Sequence, residues 1–84
     1  MEDPIGKVTH YFGQLSVAAV QLTGPLAIGD RIRIKGHTTD FSQKIDSLEV
    51  EHKKVEKAGA GDNVAFKVTE KARTGDQVFR VQTA

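Results

Sequence analysis

The most polar stretch of the sequence, His37-Thr38-Thr39-Asp40-Phe41-Ser42, carries an imidazole, a carboxylate and three hydroxyls almost side by side. A nucleophile activated by a neighbouring base uses these groups. Their crowding in one segment argues instead for a wide hairpin loop that satisfies its own backbone, because catalytic groups converge on a pocket from separate elements. His10, His37 and His52, even with Asp40, lack the short paired spacing of a zinc site. Ala58-Gly59-Ala60-Gly61-Asp62 is glycine-rich, yet it ends in an aspartate, with no Gly-Lys-Ser/Thr after it and no GxGxxG in the chain. It cannot cradle phosphates, so GTP is not an expected ligand. No catalytic residue, metal or cofactor is expected, and the chain is read as a non-enzyme.

The sharpest signal is Arg31-Ile32-Arg33-Ile34-Lys35. Strict alternation in a strand sends Ile32 and Ile34 inward and three cations outward, about 6.6 Å apart along the strand. That spacing is close to the distance between phosphates of a nucleic-acid strand, so the ladder could track an RNA backbone. It could equally be neutralised within the protein. If residues 31–35 pair with 44–51, Asp46 and Glu49 lie opposite Arg33 and Arg31, leaving Lys35 and Lys44 facing each other near His37 as a small basic spot. Tyr11 and Phe41 are the only aromatics placed to stack bases.

These residues are positioned by strands. The chain has 84 residues, 38% of them hydrophobic, with 12 Lys and Arg against 11 Asp and Glu for a net charge of +1. That is one small domain, residues 1–84, burying about 60 to 65% of its unfolded surface, too little for a lid or a separate substrate domain. There is no cysteine, hence no disulfide or thiolate metal site. Neither a signal peptide nor a membrane span is read, and a cytoplasmic monomer is expected.

Glycines separate segments rich in Val, Ile, Phe and Thr that alternate with polar residues, predicting strands at 5–12, 15–22, 31–35, 44–52, 63–69 and 77–82. Gly13-Gln14 is expected to form a two-residue II′ hairpin turn, with Val20 and Leu22 on the core side of the second arm. Residues 51–59 are read as a turn. Gly29-Asp30, Gly61-Asp62 and Gly75-Asp76 each precede a polar and then a β-branched residue. In each pair the glycine supplies positive φ and the aspartate hydrogen-bonds the backbone ahead of it as a strand begins. Six short antiparallel strands in so small a chain predict an all-β fold, a closed six-stranded barrel, because closure removes exposed edges.

The order of elements resembles domain two of elongation factor Tu over roughly residues 5–81. The resemblance rests on Pro25-Leu26-Ala27-Ile28-Gly29-Asp30-Arg31-Ile32-Arg33-Ile34, on Ala60-Gly61-Asp62-Asn63-Val64 and on Thr74-Gly75-Asp76-Gln77-Val78. Gly36-His37-Thr38-Thr39-Asp40-Phe41 resembles something narrower, the barrel at the C-terminus of collagenase-like peptidases and its short stand-alone relatives. The resemblance implies a translation-factor-type barrel. It puts Glu49 and Asn63 at the family's pocket for the aminoacylated 3′ end of tRNA, although Glu51 replaces a family histidine and Thr74 a family arginine. The resulting expectation is a non-catalytic binding module for RNA or a ribonucleoprotein, using Arg31, Arg33, Lys35, His37, Asp40 and Lys44. The alternative is a protein-interaction module recruited to a collagenase-like peptidase or another enzyme through residues 36–41.

Overall fold

The computed structural model describes residues 2–81. The described residues form ten strands and no helix: β1 (Glu2–Phe12), β2 (Val17–Leu22), β3 (Leu26–Ala27), β4 (Arg31–Lys35), β5 (Asp40–Lys44), β6 (Glu49–Val50), β7 (Lys53–Lys54), β8 (Lys57–Ala58), β9 (Asn63–Lys67) and β10 (Gln77–Val81). Eight of them make one antiparallel sheet in the order β5-β4-β10-β1-β2-β9-β6-β7, and β3 pairs with β8 separately.

The expected closed six-stranded barrel is corrected by this order, since no ladder joins β5 to β7. The physical reason lies after Lys44. The predicted strand 44–52 breaks there because the chain leaves the ladder, and Ile45 bonds instead to the turn before β4, donating to Asp30 O at 2.8 Å and accepting from Gly29 N at 2.9 Å. The gap between β5 and β9 is bridged by one side chain. Gln43 donates from Nε2 to Lys67 O at 2.7 Å and accepts the Thr69 N–H at Oε1 at 2.8 Å. Both ends of a buried amide are thereby satisfied, as burial requires.

Alternation works as the sequence implies. Ile32, Ile34, Val20, Leu22 and Val78 are at most 1% exposed and form the core with Val8, Leu26, Ile45, Leu48, Val64 and Phe66. The three Gly-Asp turns also form, and they are alike. Gly29, Gly61 and Gly75 have φ of 97°, 91° and 96°, the third-position conformation of a type II turn that favours glycine. In each turn the aspartate N–H donates to the carbonyl three residues earlier at 3.1 Å. Its carboxylate reaches back, not ahead as expected, to accept the N–H of that same residue, Ala27, Gly59 or Arg73, at 2.8 to 2.9 Å.

Other boundaries move. The first hairpin closes through four residues, 13–16, not through Gly13-Gln14: Leu15 N bonds Phe12 O at 3.2 Å and Ser16 takes φ of 54°. This is a hydrogen-bonded β-turn followed by a left-handed residue. β1 starts at Glu2, before the expected residue 5, β2 starts at Val17 and β9 ends at Lys67; of the predicted strand 77–82, Gln82 lies outside the described residues. Between β6 and β7, Glu51 and His52 both have positive φ, 52° and 65°, the two left-handed positions of a type I′ turn, here without the usual Asn-Gly.

Candidate interaction face

The outward side chains of β5, β4, β10 and β1 lie in three rows. The first holds Lys44, Arg31 and Val81, the last in register with Glu2 of β1; the second Ser42, Arg33, Phe79 and Pro4; the third Asp40, Lys35, Gln77 and Lys7. Neighbours within a row are about 5 Å apart, and rows are about 6.6 Å apart. Arg31, Lys35, Lys44, Lys7 and Pro4 are exposed, whereas Arg33, Phe79 and Val81 are half-buried.

This register corrects the expected cross-strand pairing. Arg31 faces Lys44, Arg33 faces Ser42 and Lys35 faces Asp40, so neither Asp46 nor Glu49 opposes the ladder. The predicted wide polar loop shrinks because Asp40 already belongs to β5, leaving only residues 36–39 at the hairpin end, where Gly36 N donates to Thr39 O at 2.8 Å. Lys35 and Lys44 consequently sit at opposite ends of the pairing and do not face each other. The carboxylate of Asp40 reaches diagonally to Arg33 and accepts two hydrogen bonds, from Nε at 2.8 Å and Nη2 at 2.7 Å. That bidentate fork holds the Asp40 pKa below the ordinary aspartate value, and the charges of Arg33 and Lys35 add to it.

The middle cation is therefore paired within the sheet, by a carboxylate that stands in the third row opposite Lys35. Arg31, Lys44 and Lys7 have no ion pair among the described residues, and two like charges stand directly opposite each other at Arg31 and Lys44. Such a pairing is mildly destabilising on its own. His37 is exposed at the hairpin tip beyond Lys35, while the neighbouring Thr39 is buried.

Phe41 is only 6% exposed and belongs to the core. Tyr11 is half-buried and packs against the same core. The two rings expected to stack bases are thus not presented as a platform. Sequence reasoning missed the apolar part of this face, Phe79, Val81 and Pro4. The signal was Val78-Phe79-Arg80-Val81: once Val78 points inward, Phe79 and Val81 must point outward, so β10 is apolar on both sides.

Glu49 and Asn63 lie elsewhere. Glu49 on β6 pairs with Ala65 of β9, two residues beyond Asn63, so the two are diagonal neighbours on one face, with three strands between β4 and β9 and four between β4 and β6. Glu49, Lys54, Val17, Ala65 and Lys67 line a shallow concavity of about 290 Å3 there, and Asn63 is not part of its wall. Among the described residues no cluster of His, Cys, Asp and Glu has the arrangement to hold a metal ion, and no helix is long and apolar enough to cross a membrane.

The chain is similar to a segment of collagenase-type proteases. It is 40% identical over 78 residues to a collagenase of Porphyromonas gingivalis, covering 90% of this chain and 22% of that one. It is 38% identical over 76 residues to an uncharacterised protease of Methanocaldococcus jannaschii, covering 89% of this chain and 19% of the protease. The chain thus spans about a fifth of the length of the curated relatives it matches. Its fold matches the crystal structure of the C-terminal domain of a chain described as a U32 peptidase from Geobacillus thermoleovorans, with a TM-score of 0.89, 22% identity, and coverage of 95% and 93% of the two chains. The selenomethionine variant of that domain gives a TM-score of 0.86 at 23% identity, covering 90% and 96%. No protein-family model matches the chain.

The expected collagenase-peptidase likeness therefore stands as similarity of sequence and fold. The elongation-factor likeness does not appear among these relatives, and neither the matches nor the face supports RNA binding.

Proposed function

We propose that this chain is a non-catalytic accessory β-module of the kind carried by collagenase-type peptidases, and that it works by binding a protein, in the first instance the peptidase portion itself. The observation that carries this reading is the asymmetry of the matches: nine-tenths of this chain accounts for only a fifth of each protease. A domain that folds around its own core and leaves the remaining four-fifths of a protease elsewhere is suited to recognition.

The test mixes the chain with the Porphyromonas gingivalis collagenase from which the matching segment has been removed, its integrity checked by its own melting transition. Co-elution in size-exclusion chromatography with a saturable calorimetric titration is expected, and no gelatin hydrolysis by the chain alone. Absence of association, or hydrolysis by the isolated chain, overturns the reading.

A further inference from the structure

We infer that the outer face of β5, β4, β10 and β1 is a docking surface for an extended acidic protein segment in which one apolar side chain lies between two carboxylates. This rests on the module reading above and names the surface and the chemistry of its partner.

The three rows set the pattern. The first presents Arg31 beside Lys44, and the third presents Lys35 and Lys7 on either side of Gln77, with Asp40 at its β5 end turned diagonally to Arg33. The row between them is electrically quiet, because Asp40 closes its fork on Arg33, and it carries Phe79 between Arg33 and Pro4. Crossing the face along the strand direction, a ligand meets positive charge, an apolar and neutral strip, then positive charge again, each step about 6.6 Å. An extended peptide places every second side chain on one side at the same step. A segment of the form acid-x-apolar-x-acid therefore fits row by row.

The face also selects this ligand over a nucleic acid. A phosphate track needs continuous cations, and here the middle cation is bound to a carboxylate that would repel a phosphate. A single-strand platform needs successive rings for stacking, and Phe79 is the one ring of the face. Charge complementarity is local, because Arg31, Arg33, Lys35, Lys44 and Lys7 set five cations around the carboxylate of Asp40, while the whole chain has a net charge of only +1. The like-charged Arg31 and Lys44, mildly unfavourable in the free protein, are relieved by one partner carboxylate lying between them.

The experiment uses fluorescence anisotropy with a labelled peptide built on Glu-Ser-Leu-Ser-Glu, at two salt concentrations. Controls are the same peptide with both glutamates changed to glutamine, one with the glutamates adjacent, and a uridine oligonucleotide. The acidic peptide should bind saturably, weaken with salt, and bind at least about tenfold better than either peptide control. Arg31→Glu with Lys44→Glu, and separately Phe79→Ser, should each weaken it by about tenfold; the charge-reversed pair, both exposed, should melt near wild type, and Phe79→Ser, whose ring is half-buried, should stay folded at the assay temperature with a lower melting midpoint. Lys57→Glu, outside this face, should change nothing. Equal binding of the control peptides, tighter binding of the oligonucleotide, or indifference to the face variants overturns the inference. The same variants then go into the collagenase titration. Wild type associating with variants unaffected refutes this surface alone; wild type failing to associate refutes the module reading.

Discussion

Changing Gly36 to Ala should destabilise the protein sharply, although the backbone of Gly36 is not left-handed. A Cβ at this position would stand 1.8 Å from Oδ1 of Asp76 and 2.6 Å from its Cγ, far inside contact distance. Asp76 has little room to yield. Only 5% exposed, it accepts the Arg73 N–H at 2.8 Å through Oδ2, and its turn is anchored to β1 by Val8 N to Asp76 O and Gly75 N to Val8 O, both 2.8 Å. Displacing the carboxylate loses the bond that satisfies Arg73 N–H and strains the packing, together about 2 to 4 kcal/mol. Against about 4 to 13 kcal/mol for a chain of this length, that is a large fraction. In a thermal melt it should lower Tm by roughly 10 to 25 °C. The double variant Gly36→Ala with Asp76→Ala separates clash from other causes, because the methyl then enters space the carboxylate has left. It should be no less stable than Asp76→Ala alone. A Gly36→Ala protein that melts like wild type, or a double variant showing the sum of the two single losses, would refute the argument.

Ile32→Ala and Ile34→Ala each empty a fully buried site and should cost about 2 to 5 kcal/mol in denaturant titrations; normal midpoints for both would mean the strand faces the other way. His52→Gly removes a side chain from a left-handed position, φ of 65°, and should raise stability by about 1 kcal/mol; an unchanged or lower midpoint counts against the strained turn. Asp40 has its pKa lowered by Arg33, so the pair's contribution is present above the unfolded aspartate pKa and is lost as pH falls through the lower folded value. Carboxyl NMR should show Asp40 titrating below ordinary aspartates and moving up in Arg33→Gln; an unmoved midpoint would show that the fork is not its cause.

The part of the fold that depends on neighbours in sequence was legible. Alternation placed Ile32, Ile34, Val20 and Leu22 inside, and the Gly-Asp pairs marked all three turns entering β4, β9 and β10. What depended on long-range pairing was not. The register of β4 is set by where β5 begins, and a polar segment such as Asp40-Phe41-Ser42-Gln43-Lys44 reads as a loop until Phe41 and Gln43 are seen to be buried. Gln43 belongs inside because it completes the hydrogen bonding of Lys67 and Thr69, residues 24 and 26 positions away. The candidate face inherited this error. Its cations were identified, but their partner was misassigned to Asp46 and Glu49, and its apolar strip on β10 emerged only when the strand was seen between β4 and β1.

The near-zero net charge and the basic face are reconciled by where the acids are used. Asp30, Asp62 and Asp76 are committed as acceptors inside the three turns, and Asp30 also lies 3.5 Å from Arg80. Asp40 is committed to Arg33. Glu49 stands at the concavity beyond β9, and Glu51 is at the tip of the β6–β7 turn. None of these six acids pairs with Arg31, Lys44 or Lys7, which have no ion pair among the described residues and can take an outside carboxylate. A partner recognised this way reads a pattern of rows, and moving one acid of that partner by a single residue would put it on the wrong side of an extended chain.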